Sequence, residues 1–144
     1  NGRAWRDLVE QIAERYRNRI DIVLGVESRG FILGSAVAYA LGCGFALVRK
    51  SGKLPTATFQ ASYDLEYGTD TLEIHQDAFP HHSRVLLIDD LLATGGTAQA
   101  AIKLAEKLQA NIIEAAFLIE LSFLRGRERL TPHEVFSFIQ YDSE

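Results

Sequence analysis

The apolar positions of this chain change their spacing from one segment to the next, and the spacing predicts where helices and strands lie. Near the start the apolar residues recur every three or four positions, as on one face of an amphipathic helix. These residues are Trp5, Leu8, Val9, Ile12, Ala13 and Tyr16. The strongly apolar segment 20–26 predicts a short strand that is buried on both faces. The segment 30–41, rich in Ala and Leu, predicts a helix packed on a sheet, which Gly42 and Gly44 would end.

The rest of the chain continues the alternation of strand and helix. Apolar runs predict further strands at 45–48, 71–74, 84–88, 112–121 and 135–141. A helical stripe is formed by Ala98, Ala101, Ile102, Ala105 and Leu108. The polar segment 51–70, interrupted by Pro55 and Gly68, predicts a long functional loop, and 80–83 a turn. Together these elements predict one α/β domain over 1–144, with a mostly parallel twisted sheet and helices on both faces.

Composition and charge exclude several classes of protein. Of the 144 residues 47% are hydrophobic and 24% charged, which is enough apolar surface for a folded core. The formal net charge of −4 argues against non-specific binding to nucleic acid or to a membrane surface. No run approaches the roughly 20 apolar residues that span a bilayer. The single cysteine, Cys43, is compatible with a reducing compartment, and we expect a cytoplasmic protein.

Two groups of polar residues predict no site. The histidines lack the spacing of a zinc site, and they are His75, His81, His82 and His133. Arg125, Arg127 and Arg129 alternate with Gly126 and Glu128, which predicts a solvated helical or turn segment.

The segment 85–97 carries the strongest chemical signal in the chain. A buried strand is followed by two adjacent carboxylates, Asp89 and Asp90, and then by a loop that leads into a helix. In that loop the pair Gly95-Gly96 lets backbone N–H groups approach an anion, and the helix N-terminus adds further donors. Carboxylates accept hydrogen bonds from vicinal hydroxyl groups. The arrangement therefore predicts a site for a ribose 5-phosphate, with the hydroxyls of Thr94 and Thr97 as additional donors.

This strand, acidic pair and Ala-Thr-Gly-Gly-Thr loop resemble the fingerprint of type I phosphoribosyltransferases. The segments 27–30 (Glu-Ser-Arg-Gly), 49–55 and 62–68 are similar to the adenine phosphoribosyltransferase branch in particular. The resemblance covers nearly the whole chain. It implies a type I phosphoribosyltransferase-like fold, a homodimer, and the conversion of adenine and phosphoribosyl pyrophosphate to AMP and pyrophosphate in purine salvage. It also implies Mg²⁺ as cofactor, held through ligand oxygens and water rather than directly by protein side chains.

The resemblance further implies a role for each site residue. The pyrophosphate would be bound by Glu27, Ser28, Arg29, Arg49, Lys50 and Lys53, some of them acting in the neighbouring subunit's site. The ribose 5-phosphate would be bound by Asp89, Asp90, Ala93, Thr94, Gly95, Gly96 and Thr97. Glu66 would be the catalytic carboxylate, carried by a mobile loop, and Leu91 and Val26 would contact adenine. Members of the family also carry an N-terminal segment over the base. This chain has no methionine and starts in a helical pattern, so we expect that segment to be missing and adenine to be held weakly.

Three other functions fit part of the pattern. A 6-oxopurine phosphoribosyltransferase would use the same phosphoribosyl site with a different base pocket. A non-catalytic regulator would bind phosphoribosyl pyrophosphate without turnover. A hydrolase is suggested by 26–30, which half-matches a nucleophile elbow, with Ser28, Asp89 and His133 in the usual order, although Val26 replaces its first glycine.

Overall fold

A seven-stranded sheet forms the centre of the molecule in the computed structural model, which describes residues 1–143. The strands are β1 (Ile22–Val26), β2 (Gly44–Lys50), β3 (Thr58–Leu65), β4 (Gly68–His75), β5 (Arg84–Leu92), β6 (Asn111–Leu121) and β7 (Val135–Tyr141). The helices are α1 (Gly2–Tyr16), α2 (Arg29–Leu41), α3 (Gly96–Lys107) and the short α4 (Gly126–Arg129), which follows a 3₁₀ turn at Ser122–Leu124. In the described residues, none of these helices has the length and apolar character that crossing a membrane requires.

The sheet is mostly parallel, as the alternation of elements predicts. Its strand order is β3-β4-β2-β1-β5-β6-β7, and the five strands from β2 to β7 in that order run parallel. β4 runs antiparallel to β2, and β3 antiparallel to β4. The predicted mixed α/β architecture with a mostly parallel sheet is confirmed.

Alternate side chains of the central strands supply two hydrophobic cores, one on each face of the sheet. Val23, Leu86 and Ile88 pack with α1 and α2. Leu24 and Leu87, which are their neighbours in sequence, pack with α3 on the opposite face. Because both faces of β1 and of the first half of β5 are covered, residues 22–26 and 85–88 are continuous apolar runs, which predict these strands from the sequence.

The expectation of an irregular loop at 51–70 is wrong for most of that segment. Residues 58–75 form the β3–β4 hairpin, with Leu65 opposite Gly68 at its turn. Only one face of β3 meets the core, through Phe59, Ala61 and Tyr63. Apolar residues therefore occupy alternate positions among polar ones, and the segment lacks the continuous apolar run that revealed the central strands.

β5 is longer than predicted, and its extra length creates the site. β1 pairs with β5 only as far as Gly25 opposite Ile88, whereas β5 continues to Leu92 along β6. The segment 89–92 therefore has a neighbouring strand on one side only. The connections after β1 and β5 also lead to opposite faces, through α2 and α3. Such a switch point is where open α/β sheets bind ligands.

Candidate active site

A cavity of about 410 Å³ opens at the carboxyl ends of β1 and β5. Its wall is formed by the β1–α2 junction, by the end of β5 with the loop into α3, and by side chains of β2 and the hairpin. The residues predicted for the site that line this cavity are Glu27, Ser28, Arg29, Lys50, Asp89, Asp90, Leu91, Ala93, Thr94, Gly95, Gly96 and Thr97. Segments far apart in sequence, 27–29 and 89–97, thus meet in one place.

Four other predicted residues lie outside the cavity wall. Arg49 and Lys53 lie beside it and bind the carboxylate of Glu27. Glu66 is exposed at the turn of the β3–β4 hairpin. Val26 is 1% exposed. Its side chain packs in the hydrophobic core and not at the cavity, where the expected contact with a base would be made.

The loop between β5 and α3 has the geometry of an anion site. Gly95 adopts φ +85° and is followed directly by α3, whose first turn carries no acidic side chain and no side-chain cap. The first N–H groups of α3 therefore have no partner within the helix, and the helix dipole is positive at this end. With the hydroxyls of Thr94 and Thr97 they form a concave set of donors suited to a phosphate group. We call residues 93–97 the phosphate loop.

The two carboxylates of β5 lie next to this loop and have different partners. Asp89 accepts a hydrogen bond from the backbone N–H of Asp90 at 2.9 Å, and burial raises the pKa of Asp89 to about 7. Asp90 is paired with the guanidinium of Arg29. Both carboxyl groups line the cavity, in a position to accept hydrogen bonds from hydroxyl groups of a sugar.

Glu27 joins the β1–α2 junction to the segment after β2. Its side chain is 9% exposed and accepts hydrogen bonds from Arg49 Nε at 3.0 Å and Lys53 Nζ at 2.6 Å. Burial acts to raise the pKa of Glu27, but the hydrogen bonds from Lys53 and Arg49 outweigh it and hold that pKa below its usual value. The carboxylate therefore neutralises two of the three cations at this end of β2.

Lys50, the third cation, lines the cavity together with Tyr63. Lys50 Nζ lies 2.8 Å from Asp70 Oδ2, and the hydroxyl of Tyr63 donates to the same oxygen at 3.2 Å. Tyr63 also lies over the start of α3, where its ring would be 3.7 Å from a Cβ placed on Gly96. The β3–β4 hairpin thus lies against the phosphate loop, next to Gly96. Neither Tyr63 nor Leu72 was singled out from the sequence, although both line the cavity.

Residues 126–129 form the short helix α4, and Arg125, Glu128 and Arg129 are exposed, as the charges predict, but Arg127 is bound to the sheet. Arg127 donates to Glu120 through Nε at 3.1 Å and Nη2 at 2.6 Å, and to the carbonyl of Val135 at 2.6 Å. Glu120 is 3% exposed, and the nearby guanidinium lowers its pKa. The partners of Arg127 lie on β6 and β7, and no local sequence pattern reveals them.

The hydrolase interpretation is not supported by the positions of its proposed residues. Nε2 of His133 is hydrogen-bonded to Glu106 at 3.0 Å, on α3. Asp89 accepts its hydrogen bond from a backbone amide, as described above. A nucleophile needs a base within hydrogen-bond reach, whereas the proposed base, His133, is bonded to Glu106.

The same described range contains no group of three or more His, Cys, Asp or Glu side chains that could hold a metal ion. Asp89 and Asp90 are the acidic pair nearest to the phosphate loop. Mg²⁺ commonly binds through one or two carboxylates together with phosphate oxygens and water, so the donors here fit Mg²⁺ brought by a phosphate ligand.

Known proteins resemble this chain over nearly its whole length. A family model for the phosphoribosyl transferase domain matches residues 2–142. Proteins named adenine phosphoribosyltransferase from Chloroflexus aurantiacus and Desulfitobacterium hafniense are 56% and 54% identical over 142 residues, which are 98% of this chain and 82% of each relative. The crystal structure of adenine phosphoribosyltransferase from Thermoanaerobacter pseudethanolicus is 45% identical with a TM-score of 0.94, over 98% of this chain and 83% of that one. The crystal structure of adenine phosphoribosyltransferase from Saccharomyces cerevisiae, complexed with an imino-altritol bisphosphate and adenine, is 44% identical with a TM-score of 0.90. The match covers 95% of this chain and 80% of that one.

Proposed function

Because this chain belongs to the adenine phosphoribosyltransferases of the phosphoribosyl transferase family, we propose that it transfers the phosphoribosyl group of phosphoribosyl pyrophosphate to adenine, giving AMP and pyrophosphate. The observation that carries the proposal is the cavity in which an acidic pair, Asp89 and Asp90, lies beside the phosphate loop. Such a cavity offers acceptors for a ribose diol and donors for its 5-phosphate at once. A trypanosomal relative, 30% identical, has been solved in complex with AMP, pyrophosphate and ribose 5-phosphate, which supports this substrate class.

The phosphoribosyl group would be held at its two ends. The phosphate loop would donate backbone and threonine hydrogen bonds to the 5-phosphate. The carboxyl oxygens of Asp89 and Asp90 would accept hydrogen bonds from the 2- and 3-hydroxyls. These contacts fix the position of the anomeric carbon in the cavity, and fixing the reacting geometry is itself a large part of catalysis.

The reaction would be a substitution at that carbon. The bond to pyrophosphate breaks, a bond to N9 of adenine forms, and the proton of the base is lost. Arg29 and Lys50 line the cavity and would stabilise the negative charge that develops on the departing pyrophosphate. We propose Glu66, on the hairpin turn, as the group that handles the proton, and Leu91, 36% exposed at the cavity, as an apolar contact for the purine.

Mg²⁺ would be held by oxygens of the pyrophosphate and the ribose with water, next to Asp89 and Asp90. When bound, it neutralises phosphate charge and so favours departure of the leaving group. Arg49 and Lys53 remain proposed pyrophosphate ligands, and their hydrogen bonds to Glu27 place them at one rim of the site.

We also propose a homodimer that works in cytoplasmic purine salvage. The outer face of α2 supports self-association, since Ile32 and Tyr39 are 64% and 91% exposed beside Trp5. Large apolar groups clustered on a surface are typical of interaction sites. Sedimentation equilibrium of the wild type and of Ile32→Glu tests this: we expect a dimer and a monomer, whereas a monomeric wild type contradicts it. The free thiol of Cys43 is compatible with a reducing compartment.

The reaction is tested by incubating the protein with Mg²⁺, phosphoribosyl pyrophosphate and one purine base at a time, and by separating the nucleotides formed. We expect AMP from adenine and no nucleotide from hypoxanthine or guanine. Formation of IMP or GMP would identify a 6-oxopurine enzyme instead. Binding of phosphoribosyl pyrophosphate without turnover of any base would identify a regulator.

A further inference from the structure

The phosphate loop is supported from behind by a glycine of a different segment. Gly95 and Gly126 approach so closely that a Cβ on Gly95 would lie 2.6 Å from the carbonyl oxygen of Gly126. A Cβ on Gly126 would in turn overlap the carbonyl oxygen of Ala93 and lie 3.0 Å from the nitrogen of Gly95. Two backbones can meet at this distance only when neither carries a side chain. Gly126 is buried, so this contact is part of the packed structure.

A second set of contacts connects α4 to the first turns of α3. Gln99 Nε2 donates to the carbonyl of Arg129 at 3.3 Å. Nη1 of Arg129 lies 3.1 Å from the position that a Cβ on Gly96 would occupy. α4 therefore lies against both parts of the phosphate-binding structure, the loop and the start of the helix.

The position of Gly126 is in turn fixed by its neighbour Arg127. The guanidinium binds Glu120 at the end of β6 and the carbonyl of Val135 at the start of β7, with Ser137 donating to the same carboxylate at 2.5 Å. The side chain of Glu120 is 4% exposed. A two-pronged hydrogen-bonded pair with a buried carboxylate has one well-defined geometry. It joins the segment 125–129 rigidly to the sheet.

We propose that Gly126, held by the Arg127–Glu120 pair, is a positioning residue for phosphate recognition. The inference rests on the proposed function, because it assigns the 5-phosphate to the phosphate loop. The loop consists of small residues, whose side chains make few contacts. The direction of its backbone N–H groups therefore depends on the residues that pack behind the loop. A displacement of about 1 Å in such a site can cost on the order of a hundredfold in function. Sequence reasoning missed this role because Gly126 lies 29 residues after Thr97, the end of the loop, and does not line the cavity.

The test compares AMP with adenosine, which differ only in the phosphate. Isothermal titration calorimetry on the full chain measures both affinities for the wild type and for Gly126→Ala. The added methyl group pushes the loop at Ala93, so we expect AMP to bind about tenfold or more weakly while the affinity for adenosine is unchanged. A matched control is Gly34→Ala, where a Cβ would lie 2.8 Å from Ile88 in the core between α2 and the sheet. It should lower the melting temperature but leave the ratio of the two affinities unchanged.

Each outcome decides between the possibilities. If Gly126→Ala weakens both ligands equally, or neither, Gly126 does not position the loop and the inference fails. If the wild type itself binds AMP no more tightly than adenosine, the proposed phosphate site fails, and with it the proposed function. Should Gly126→Ala not fold, Arg127→Lys supplies the same measurement, because lysine keeps the charge but loses the two-pronged geometry. A ratio equal to that of the wild type in Arg127→Lys then overturns the inference.

Discussion

The backbone amide of Asp90 donates a hydrogen bond to Oδ1 of Asp89 at 2.9 Å, and this contact places two consecutive carboxyl groups at one cavity in different surroundings. Asp90 is paired with Arg29, whereas burial raises the pKa of Asp89 to about 7. A carboxyl group with such a pKa changes its charge near neutral pH. The ability of Asp89 to accept hydrogen bonds from a sugar diol should therefore depend on pH.

We expect the affinity for AMP to rise between about pH 6 and pH 8, since ionised Asp89 accepts the hydroxyl hydrogen bonds and the protonated form accepts fewer. Calorimetry at several pH values measures this. The variant Asp89→Asn keeps the shape but cannot ionise, and it corrects for the titration of the AMP phosphate itself. An identical pH dependence in both proteins would contradict the role of Asp89.

The same raised pKa predicts how the stability of the free protein varies with pH. An unfolded aspartate has a pKa near 3.9, so between about pH 4 and pH 7 the native chain binds more protons at Asp89 than the unfolded chain does. The contribution of Asp89 to stability is therefore complete below that window and is lost as the pH rises through it. Urea unfolding should show Asp89→Asn gaining stability relative to the wild type as the pH rises, and a constant difference would contradict this.

Thr94 tests the phosphate loop without disturbing its backbone. The residue is exposed and lines the cavity, so Thr94→Val removes a hydroxyl donor and nearly preserves the shape. A hydrogen bond to a charged group contributes about 1.5–3 kcal/mol, which predicts a loss of roughly ten- to a hundredfold in AMP affinity. The melting temperature should not change. Thr56→Val, which removes a hydroxyl bonded to His75 outside the cavity, is the control and should bind AMP like the wild type.

The central strands could be predicted because their environment leaves a simple pattern. β1 and β5 are covered on both faces, so each is a run of apolar residues bounded by polar ones. The β3–β4 hairpin is covered on one face only, and Pro55 with the polar residues around it resembles a loop more than a strand. The predicted strand 84–88 ends earlier than β5 for a related reason. Asp89 and Asp90 interrupt the apolar run, yet their backbones continue the ladder with β6.

The candidate site could be predicted where its chemistry is local in sequence. Asp89 to Thr97 is one segment, and its donors and acceptors follow from residue type and spacing. The support of Gly126 and the burial of Glu120 depend on which segments approach each other in three dimensions. A glycine beside arginines gives no sign that it touches a loop thirty residues away. The same holds for Tyr63, whose place at the cavity follows from the hairpin.

Substitution of Glu66 tests a role in catalysis separately from a role in binding. The residue is exposed at the hairpin turn and does not line the cavity, so Glu66→Gln should leave both the melting temperature and the AMP affinity unchanged. If Glu66 handles the proton of adenine, turnover should fall about a hundredfold or more. Steady-state formation of AMP measures this, with Glu14→Gln, which breaks an exposed ion pair on α1, as a control. An unchanged kcat would show that Glu66 is not the catalytic carboxylate.

The variant Glu27→Gln tests how much the buried carboxylate of Glu27 stabilises its junction with Arg49 and Lys53. Glu27→Gln removes the negative charge between two cations at 3.0 Å and 2.6 Å. Because Arg49 and Lys53 remain partly exposed and water solvates them, we expect the free energy of unfolding to fall by about 1–3 kcal/mol rather than by the larger cost of a fully buried pair.

This loss of stability should depend on pH. The pKa of Glu27 lies below its usual value in the folded protein, so its stabilisation is present above the unfolded pKa, about 4.3, and is lost as the pH falls through the lower, folded value. Urea unfolding at neutral pH and near pH 3 should therefore show a clear difference between the variant and the wild type at neutral pH and a smaller one in acid. A difference that stays constant would mean that packing, and not charge, holds this junction together. Arg17→Gln, which breaks the exposed pair with Glu14, is the matched control and should change stability little at either pH.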